Sequence, residues 1–336
     1  MKRSVFRRVA TALAFAAALV APAHARDGFE SAFDQALGTD LRAPPSFKAV
    51  YSDPLVRTIA QIADGERGRI GVAALDLSTG REISILGDQR FPMASTSKIA
   101  IAATFLEGVE KGRWSLTSEF PLMIPVRSEK YSSKVAPVRP GDYMQAIDLI
   151  EMMITRSSNP ATDALLAVVG GPQAVNDWVR RAGIKEFRID RDIATLVRDD
   201  GEFDPATHID QRDSATPRAM IELISGLYNG RWLNAQSRSV ILGAMERCRT
   251  GKRRIPALMP ADVTVAHKTG SLNNTSSDVG IIRTADGQAY AVAIYVTGQG
   301  TRLNREAKIA SIARAIYDGY NSRQPGEGSD WVNARY

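Results

Sequence analysis

The alternation of apolar and polar residues divides the chain into three stretches of different character. Residues 54–63 carry apolar side chains at helical spacing, and two strand-like runs follow at 69–77 and 82–86. The middle of the chain has helical periodicity at 95–112, 143–155, 161–169, 173–182 and 217–228. Strand patterning returns at 263–272, 277–283 and 289–297, and residues 304–320 predict a closing amphipathic helix.

This order predicts an α/β fold with an additional all-α part. Helices and strands at both ends of the chain indicate one antiparallel sheet flanked by terminal helices, with the helical block at about 95–228 inserted as a subdomain. We expect one such domain at 53–322, an irregular extension at 26–52 and a tail at 323–336. The cleft between a sheet layer and a helical layer is a common place for a site.

The first 25 residues have the pattern of a signal peptide. Basic residues precede an uncharged apolar run at 9–20, and Ala23 and Ala25 are small residues at the offsets that signal peptidase requires. The run is shorter than the roughly 20 residues of a spanning helix, which disfavours a membrane anchor. We therefore expect cleavage after Ala25 and a periplasmic or secreted protein with no stable membrane anchor.

Charge and composition exclude several classes of function. Removal of the leader's four basic residues lowers the net charge from +6 to +2, so no nucleic-acid partner is indicated. The single cysteine, Cys248, cannot form an internal disulfide, and we expect a buried structural thiol. His24, His208 and His267 lack metal-ligand spacing. We expect a monomer without a metal or other cofactor.

Ser95 and Lys98 form the first candidate catalytic pair. A serine hydroxyl is a poor nucleophile at physiological pH and needs an adjacent base to take its proton. If a helix begins at Ser95, residues three apart share a face, which places the Lys98 amine beside the hydroxyl. The amine can act as a base only if burial or nearby positive charge lowers its pKa.

Two further short motifs could complete a site. Ser157 and Asn159 lie between two predicted helices, where Ser157 could relay a proton and Asn159 could hold a substrate amide. A helix cap before Pro160 explains that tripeptide equally well and is preferable if it stands alone. On a predicted strand, Lys268 and Thr269 suit a substrate carboxylate, and Gly270 allows a ligand to approach the backbone closely.

The three motifs occur in the order Ser-x-x-Lys, Ser-x-Asn, Lys-Thr-Gly, which is typical of class A β-lactamases and penicillin-binding proteins. From about residue 54 to residue 320 the chain resembles a class A β-lactamase. Further matches are 91–93 before Ser95, 169–172, Thr216-Pro217 with Met220, and 280–282. The resemblance implies a β-lactamase/transpeptidase-like fold and a small-molecule β-lactam or cell-wall peptide as substrate.

The resemblance also implies roles for individual residues. Ser95 would open the lactam ring to an acyl-enzyme, and the backbone N–H groups of Ser95 and Ser271 would hold the oxyanion. Lys98, Ser157 and Lys268 would manage protons and charge. Water would then release the product.

One loop departs from the family's pattern. Arg191 and Asp213 match the residues that pair at the neck of the family's omega loop, but the water-activating glutamate of the family falls on Ile193 and its asparagine partner on Val197. The loop is several residues longer than usual and carries Asp199, Asp200, Glu202 and Asp204. Loop acids are more often solvated than catalytic, although one of these could fold back into the site.

Two other positions differ. Val279 stands where many members have an arginine that grips the substrate carboxylate, and Arg249, Arg253 or Arg283 could supply that charge. His267 precedes Lys268 where β-lactamases often have an acid, and alternation along the strand favours an outward-facing side chain there.

Three functions therefore remain open. The first is a β-lactamase with altered deacylation, the second a D,D-peptidase or related cell-wall acyltransferase, and the third a non-hydrolytic β-lactam sensor. An α/β-hydrolase esterase is disfavoured because the chain has no Gly-x-Ser-x-Gly motif.

Overall fold

The computed structural model describes residues 53–65 and 67–322. The predicted signal peptide at 1–25, the extension at 26–52 and the tail at 323–336 lie outside these residues. The helices are α1 (Pro54–Ala63), α2 (Lys98–Glu110), α3 (Ala146–Thr155), α4 (Asn159–Val169), α5 (Gly171–Arg181), α6 (Ile193–Arg198), α7 (Pro217–Tyr228), α8 (Ala235–Glu246) and α9 (Arg302–Asn321). Short 3₁₀ helices occupy Ala94–Ser97 and Ile255–Leu258.

Five antiparallel strands form the main sheet. They are β1 (Ile70–Asp76), β2 (Glu82–Ile85), β8 (Thr264–Leu272), β9 (Thr275–Arg283) and β10 (Ala289–Thr297). Their order across the sheet is β2-β1-β10-β9-β8, so strands from the two ends of the chain meet between β1 and β10. This arrangement confirms the predicted fold class.

Two smaller sheets accompany the main one. Strands β3 (Phe91–Pro92), β6 (Phe187–Arg188) and β7 (Ser214–Ala215) form one of them. Strands β4 (Glu119–Pro125) and β5 (Val138–Gln145) form the other, an exposed hairpin. Because residues 138–145 pair with β4, the helix predicted from residue 143 begins only at Ala146.

Two apolar cores lie on opposite faces of the main sheet. One contains residues of α1 and α9 together with Val72, Val292 and Ile294. The other joins Ala73, Ala293 and Val279 to the helices α2, α3, α4, α5, α7 and α8. Helix α8 was not predicted, and it extends the helical block beyond Tyr228 to Glu246.

Local sequence signals explain where several helices begin. Asp53 caps α1, its carboxylate accepting from the backbone N–H of Leu55 at 2.7 Å, and Pro54 is the first helical residue. Thr216 and Pro217 repeat this arrangement at the start of α7, where the Thr216 hydroxyl accepts from Ala219 N–H at 3.1 Å. Both helices begin where the sequence predicted.

Candidate active site

Ser95 lies in a tight turn at the edge of the main sheet, between β3 and α2. The turn is a 3₁₀ helix preceding α2, and Ala94 has a φ of 49°, in the left-handed region. The Thr96 hydroxyl anchors it by donating to Met93 O at 2.7 Å and lying 3.2 Å from the Tyr295 hydroxyl on β10. A non-glycine residue is held in this conformation only when its surroundings fix it, so the position of Ser95 is strongly determined.

Lys98 is fully buried one helical turn after Ser95. Its Nζ donates to Ser157 O at 2.8 Å, to Asn159 Oδ1 at 2.8 Å and to Ser157 Oγ at 3.3 Å. Burial, and then the charge of Lys268, hold the pKa of Lys98 well below its usual value, while Asp163 acts in the opposite direction. A buried amine with a lowered pKa can be neutral at physiological pH, which a general base requires.

Ser157 connects the two lysines of the site. It has a φ of 58° in the short link between α3 and α4. Its Oγ lies 3.0 Å from Lys268 Nζ and 3.3 Å from Lys98 Nζ. Burial lowers the pKa of Lys268 to about 8. The cap interpretation also holds, because the neighbouring Ser158 hydroxyl accepts from Ala161 N–H at 3.4 Å at the start of α4.

The Lys-Thr-Gly strand lies directly against the turn that carries Ser95. A Cβ added to Gly270 would stand 2.6 Å from Met93 O and 3.1 Å from Ala94 Cβ, which is too close for another side chain. Ser271 follows as an exposed residue on the same strand. The structure thus brings together Ser95, Lys98, Ser157, Asn159, Lys268, Thr269, Gly270 and Ser271, the residues predicted for the site.

Arg254 is a residue of this region that the sequence analysis missed. It is 1% exposed, and its guanidinium donates to Gly270 O at 2.8 Å, Ser277 O at 2.7 Å and Ser271 Oγ at 2.7 Å. Nothing in the sequence distinguishes Arg254 from the neighbouring Arg253. The position of its side chain depends on how β8 and β9 pack.

The three arginines proposed from sequence lie elsewhere. Arg253 is paired with Glu306 at 3.0 Å, and Arg283 is paired with Glu246. The Arg249 side chain is exposed just after α8. Arg254 is the arginine that contacts the strand of the Lys-Thr-Gly motif.

The predicted ion pair at the loop neck is present. Arg191 Nε lies 2.6 Å from Asp213 Oδ2, and Asp213 Oδ1 also accepts from the backbone N–H groups of Asp190 and Arg191 at 2.8 and 3.1 Å. Asp213 O in turn accepts from Met93 N–H at 3.0 Å, which ties the neck to the strand before Ser95.

Ile193 begins the short helix α6 inside this loop. Its side chain is buried but belongs to neither apolar core among the described residues. Its backbone N–H and that of Ala194 donate to the two carboxylate oxygens of Asp163 at 2.7 and 2.9 Å. Val197, at the other position of the expected pair, is 50% exposed.

Asp163 is a second residue that the sequence analysis missed. Burial raises its pKa to about 6, and the charge of Asp192 adds to this, while the hydrogen bonds from Ile193 and Ala194 and the charge of Lys98 lower it. An acid within the otherwise apolar face of α4 was the available signal.

The acids of the long loop all have partners away from Lys98. Asp192 caps α6, Asp199 pairs with Arg198 at 2.7 Å, and Glu202 pairs with Arg212 at 2.7 Å. Asp200 Oδ2 accepts from Asn273 N–H and Asp204 Oδ1 from the Asn274 side chain, each at 2.8 Å. The loop is therefore held by its own ion pairs, by the turn after β8 and by the segment before β5, where Tyr131 N–H donates to Asp199 Oδ1 at 3.1 Å and Ala136 N–H to Thr195 Oγ1 at 2.8 Å.

The expectation that His267 faces outward is wrong. His267 is 3% exposed, and its Nδ1 lies 2.9 Å from both carboxylate oxygens of the buried Asp278. Alternation failed as a guide because both faces of β8 are covered, one by the helical layer and the other by the segment around Ile255, whose N–H donates to Asp278 at 3.2 Å.

Cys248 also differs from its expectation, since the residue is half-buried rather than buried.

Among residues 53–65 and 67–322, no group of three or more histidine, cysteine or acidic side chains could hold a metal ion. Within those same ranges no helix is long and apolar enough to cross a membrane.

Comparisons with known proteins agree with this geometry. A family model described as the beta-lactamase enzyme family matches residues 54–320. The chain is 30% identical to beta-lactamase SME-1 of Serratia marcescens, over 73% of this chain and 82% of that protein. It is 28% identical to the extended-spectrum beta-lactamase PER-1 of Pseudomonas aeruginosa, over 81% of this chain and 89% of that protein.

Solved structures give the same result. A beta-lactamase from Chitinophaga pinensis has a TM-score of 0.70 and 26% identity, covering 80% of this chain and 100% of that one. A variant of the last common ancestor of Gram-negative class A beta-lactamases has a TM-score of 0.68 and 32% identity, covering 80% and 99%.

Proposed function

The chain belongs to the beta-lactamase enzyme family, and from that premise we propose that it opens β-lactam rings through an acyl-enzyme on Ser95 that water releases slowly. The observation that carries the proposal is the hydrogen-bonded series Lys98, Ser157, Lys268 beside the turn of Ser95. These groups supply a base, a proton relay and a fixed positive charge.

Acylation follows from the protonation states of this series. Neutral Lys98 takes the Ser95 proton as Oγ bonds to the lactam carbonyl carbon, and the backbone N–H groups of Ser95 and Ser271 bind the oxyanion. When the C–N bond breaks, the Ser157 hydroxyl gives its proton to the lactam nitrogen and regains one from Lys98. Lys268 lies 3.0 Å from Ser157 Oγ and stabilises negative charge there.

Substrate recognition is assigned to the strand that follows Lys268. The ring carboxylate of a β-lactam would lie at Lys268 and Thr269, and Arg254, which is paired with Glu306 at 3.2 Å, would position the Ser271 hydroxyl. Asn159, whose Oδ1 accepts from Lys98 at 2.8 Å, presents its amide nitrogen to the side-chain amide of the substrate.

Deacylation lacks its usual base. Ile193 and Val197 occupy the positions of the family's water-activating pair, and neither has a group that can take a proton. The neighbouring Asp163 carboxylate is held by two backbone N–H groups. The acyl-enzyme should therefore accumulate, and its hydrolysis should limit turnover.

The absence of a base at Ile193 also favours a second candidate function. A D,D-peptidase or cell-wall acyltransferase uses the Ser95 chemistry on a peptide, and a β-lactam sensor keeps its adduct. Neither requires an activated water in the β-lactam complex.

In either case the chain acts in the cell envelope. We propose a protein exported to the periplasm or the medium, as the leader pattern indicates, that acts as a monomer.

Intact-protein mass after mixing with a penicillin tests the proposal. One adduct should form on each chain, persist beyond mixing and then decay as the hydrolysed product appears. Failure to form any adduct or product would refute the proposal. An adduct that never decays would indicate the sensor, and release of the terminal residue from a D-Ala-D-Ala peptide would indicate the peptidase.

A further inference from the structure

Residues 198–204 of the long loop, here called the bridging segment, contact two parts of the chain that are distant in sequence. On one side, the Tyr131 backbone N–H donates to Asp199 Oδ1 at 3.1 Å, and the Tyr131 hydroxyl donates to Asp199 O at 3.2 Å. On the other side, Asp200 Oδ2 accepts from the backbone N–H of Asn273 at 2.8 Å. The bridging segment therefore joins the segment before β5 to the turn after β8.

A single residue of the bridging segment lies between these two parts. A Cβ added to Gly201 would stand 3.6 Å from Asn273 Nδ2 and 3.7 Å from Lys130 Nζ. The Lys130 amine also donates to Asp200 O. At Gly201 the backbone thus passes between a side chain of the turn after β8 and a side chain of the segment before β5.

Further contacts fix the conformation of the bridging segment. Arg198 donates to Ser133 O at 2.7 Å, and Asp204 Oδ1 accepts from the Asn274 side chain at 2.8 Å. Tyr131 has a φ of 59°, in the left-handed region, which a tyrosine adopts only where its surroundings hold it. The connection is therefore fixed at both ends.

The bridging segment is also connected to both walls of the proposed substrate cleft. One wall is α4, which begins at Asn159, and one turn later on the same face Asp163 accepts from the N–H of Ile193 at 2.7 Å. The other wall is β8, where Asn273 follows Ser271 by at most about 7 Å of backbone. Helix α6 and the bridging segment after it thus lead from one wall to the other.

Little space remains behind this connection. A cavity of about 60 Å³ lies between the loop and the end of β8, and its lining includes Leu196, Gly201, Leu272 and Pro92. A space of this size holds only a few water molecules. A substrate group that meets the bridging segment therefore cannot be accommodated behind it.

We propose that the bridging segment closes the cleft beyond the side-chain amide of the substrate, so that β-lactams with a small acyl group on that amide acylate Ser95 faster than those with a bulky one. The inference rests on the proposed function, in which Asn159 binds that amide. A bulky acyl group must either break the contacts of Asp199 and Asp200 or hold the amide away from Asn159. Both raise the barrier to acylation.

Two penicillins that share the ring system and the amide test the proposal. One has an acetyl group on the amide and the other an ethoxynaphthoyl group, so that they differ only in the bulk beyond the amide. Intact mass gives each acylation rate, which is divided by the rate of ring opening of the same compound in hydroxide to remove intrinsic reactivity. The acetyl compound should acylate the native protein about tenfold faster or more, the usual cost of overfilling a packed space.

Two variants compare a contact between wall and loop with a contact inside the loop. Asp200→Ala removes the acceptor of the Asn273 N–H and should lower the rate ratio of the two penicillins by about threefold or more, as expected for one hydrogen bond. Asp210→Ala is the matched control, because the Asp210 carboxylate is bonded to Arg212 within the loop at 2.7 Å. It should keep the native ratio.

The outcomes separate this proposal from the proposed function. Equal normalised rates for the two penicillins in the native protein would overturn the role of the bridging segment and leave the acylation of Ser95 standing, and that comparison needs no variant to fold. A folded Asp200→Ala protein with the native ratio would also overturn it. If neither compound forms an adduct, the proposed function is refuted and the inference drawn from it is refuted as well.

Discussion

The two sides of the Ser95 cleft are built in different ways. On one side, Lys98, Ser157 and Lys268 come from three distant segments and are fixed by a helix, a tight link and a sheet strand. On the other side, the loop from Arg188 to Asp213 is held by ion pairs among its own residues, by Asp163, by the segment 130–136 and by the turn after β8. The first side contains the groups that we propose for acylation, whereas the second has Ile193 at the position that the resemblance assigns to the deacylating glutamate.

Under the proposed function, this difference lets acylation proceed while deacylation is slow. The groups proposed for acylation are coupled, because burial and then the charge of Lys268 lower the pKa of Lys98, and both amines donate to Ser157 Oγ. In the family the deacylating base comes from the loop, outside that network. With Ile193 at its position the two lysines still contact Ser157, so we expect acylation to be retained.

The largest expected effect concerns the nucleophile itself. Ser95→Ala should abolish covalent labelling by a penicillin, because no other hydroxyl stands one turn before a buried lysine at this turn. The fold should remain, since a half-exposed hydroxyl is removed without loss of core volume. Intact mass measures both adduct and protein, and Ser239→Ala, an exposed serine on α8, serves as the control. Adduct formation at Ser157 in the Ser95→Ala protein would contradict the assignment.

The second prediction concerns the missing base. Ile193→Glu, alone or with Val197→Asn, should speed decay of the acyl-enzyme by about 10²–10⁴-fold, the usual contribution of a positioned general base. Ile193 lies outside both apolar cores, so the change should not open a core cavity. The decay is followed by intact mass.

Ile193→Gln is the matched control, since it has the same shape as the glutamate without a base. It should leave the decay slow. Fast turnover by the unmodified enzyme without a detectable adduct would instead mean that an acid of the long loop acts as the base. Mutating Asp192 and Glu202 in turn would then identify it.

The proximity of Lys98, Ser157 and Lys268 could be predicted from sequence, because the proposed chemistry requires particular residues at particular spacings. A base three residues after a serine, and a lysine on a strand, can be recognised without knowing their contacts. Arg254 and the Asp278 partner of His267 could not be recognised, because their positions arise from the packing of β8, β9 and the segment before them.

The fold was predictable for similar reasons and failed where its signals are weak. Helices with a Thr or Asp cap followed directly by proline began as predicted, at Pro54 and Pro217. The exposed strand Val138–Gln145 contains Pro140 and Gly141 and lacks apolar alternation, so its pairing with β4 was not apparent. Strand patterns are informative only where one face is buried and the other is not.

The third prediction tests what holds the loop. Arg191→Ala should lower the free energy of unfolding by about 3 kcal/mol, because it leaves the nearly buried Asp213 carboxylate without its cation. Arg188→Ala, which removes a largely exposed pair with Asp190, should change it by less than about 1 kcal/mol. Urea denaturation of both variants measures the difference, and equal effects would show that the neck pair does not hold the loop.

The smallest effect concerns Asp163, whose carboxylate on α4 accepts from the backbone N–H of Ile193 at 2.7 Å. Its folded-state pKa of about 6 lies above the usual 3.8, because the group is buried and near Asp192, so folding favours the protonated form. Its contribution to stability is therefore fully present below the unfolded pKa and is lost as the pH rises through about 6.

Asp163→Asn removes this titration and keeps the size of the side chain. The free energy of unfolding of the native chain minus that of the variant should thus increase as the pH falls from about 7 to about 4, the window between the two pKa values. Urea titrations across that range give the difference directly, and other titrating groups cancel because both proteins share them. A difference that stays constant would show that Asp163 remains charged, and the loop would then depend on an ionised carboxylate at the start of α6 at every pH tested.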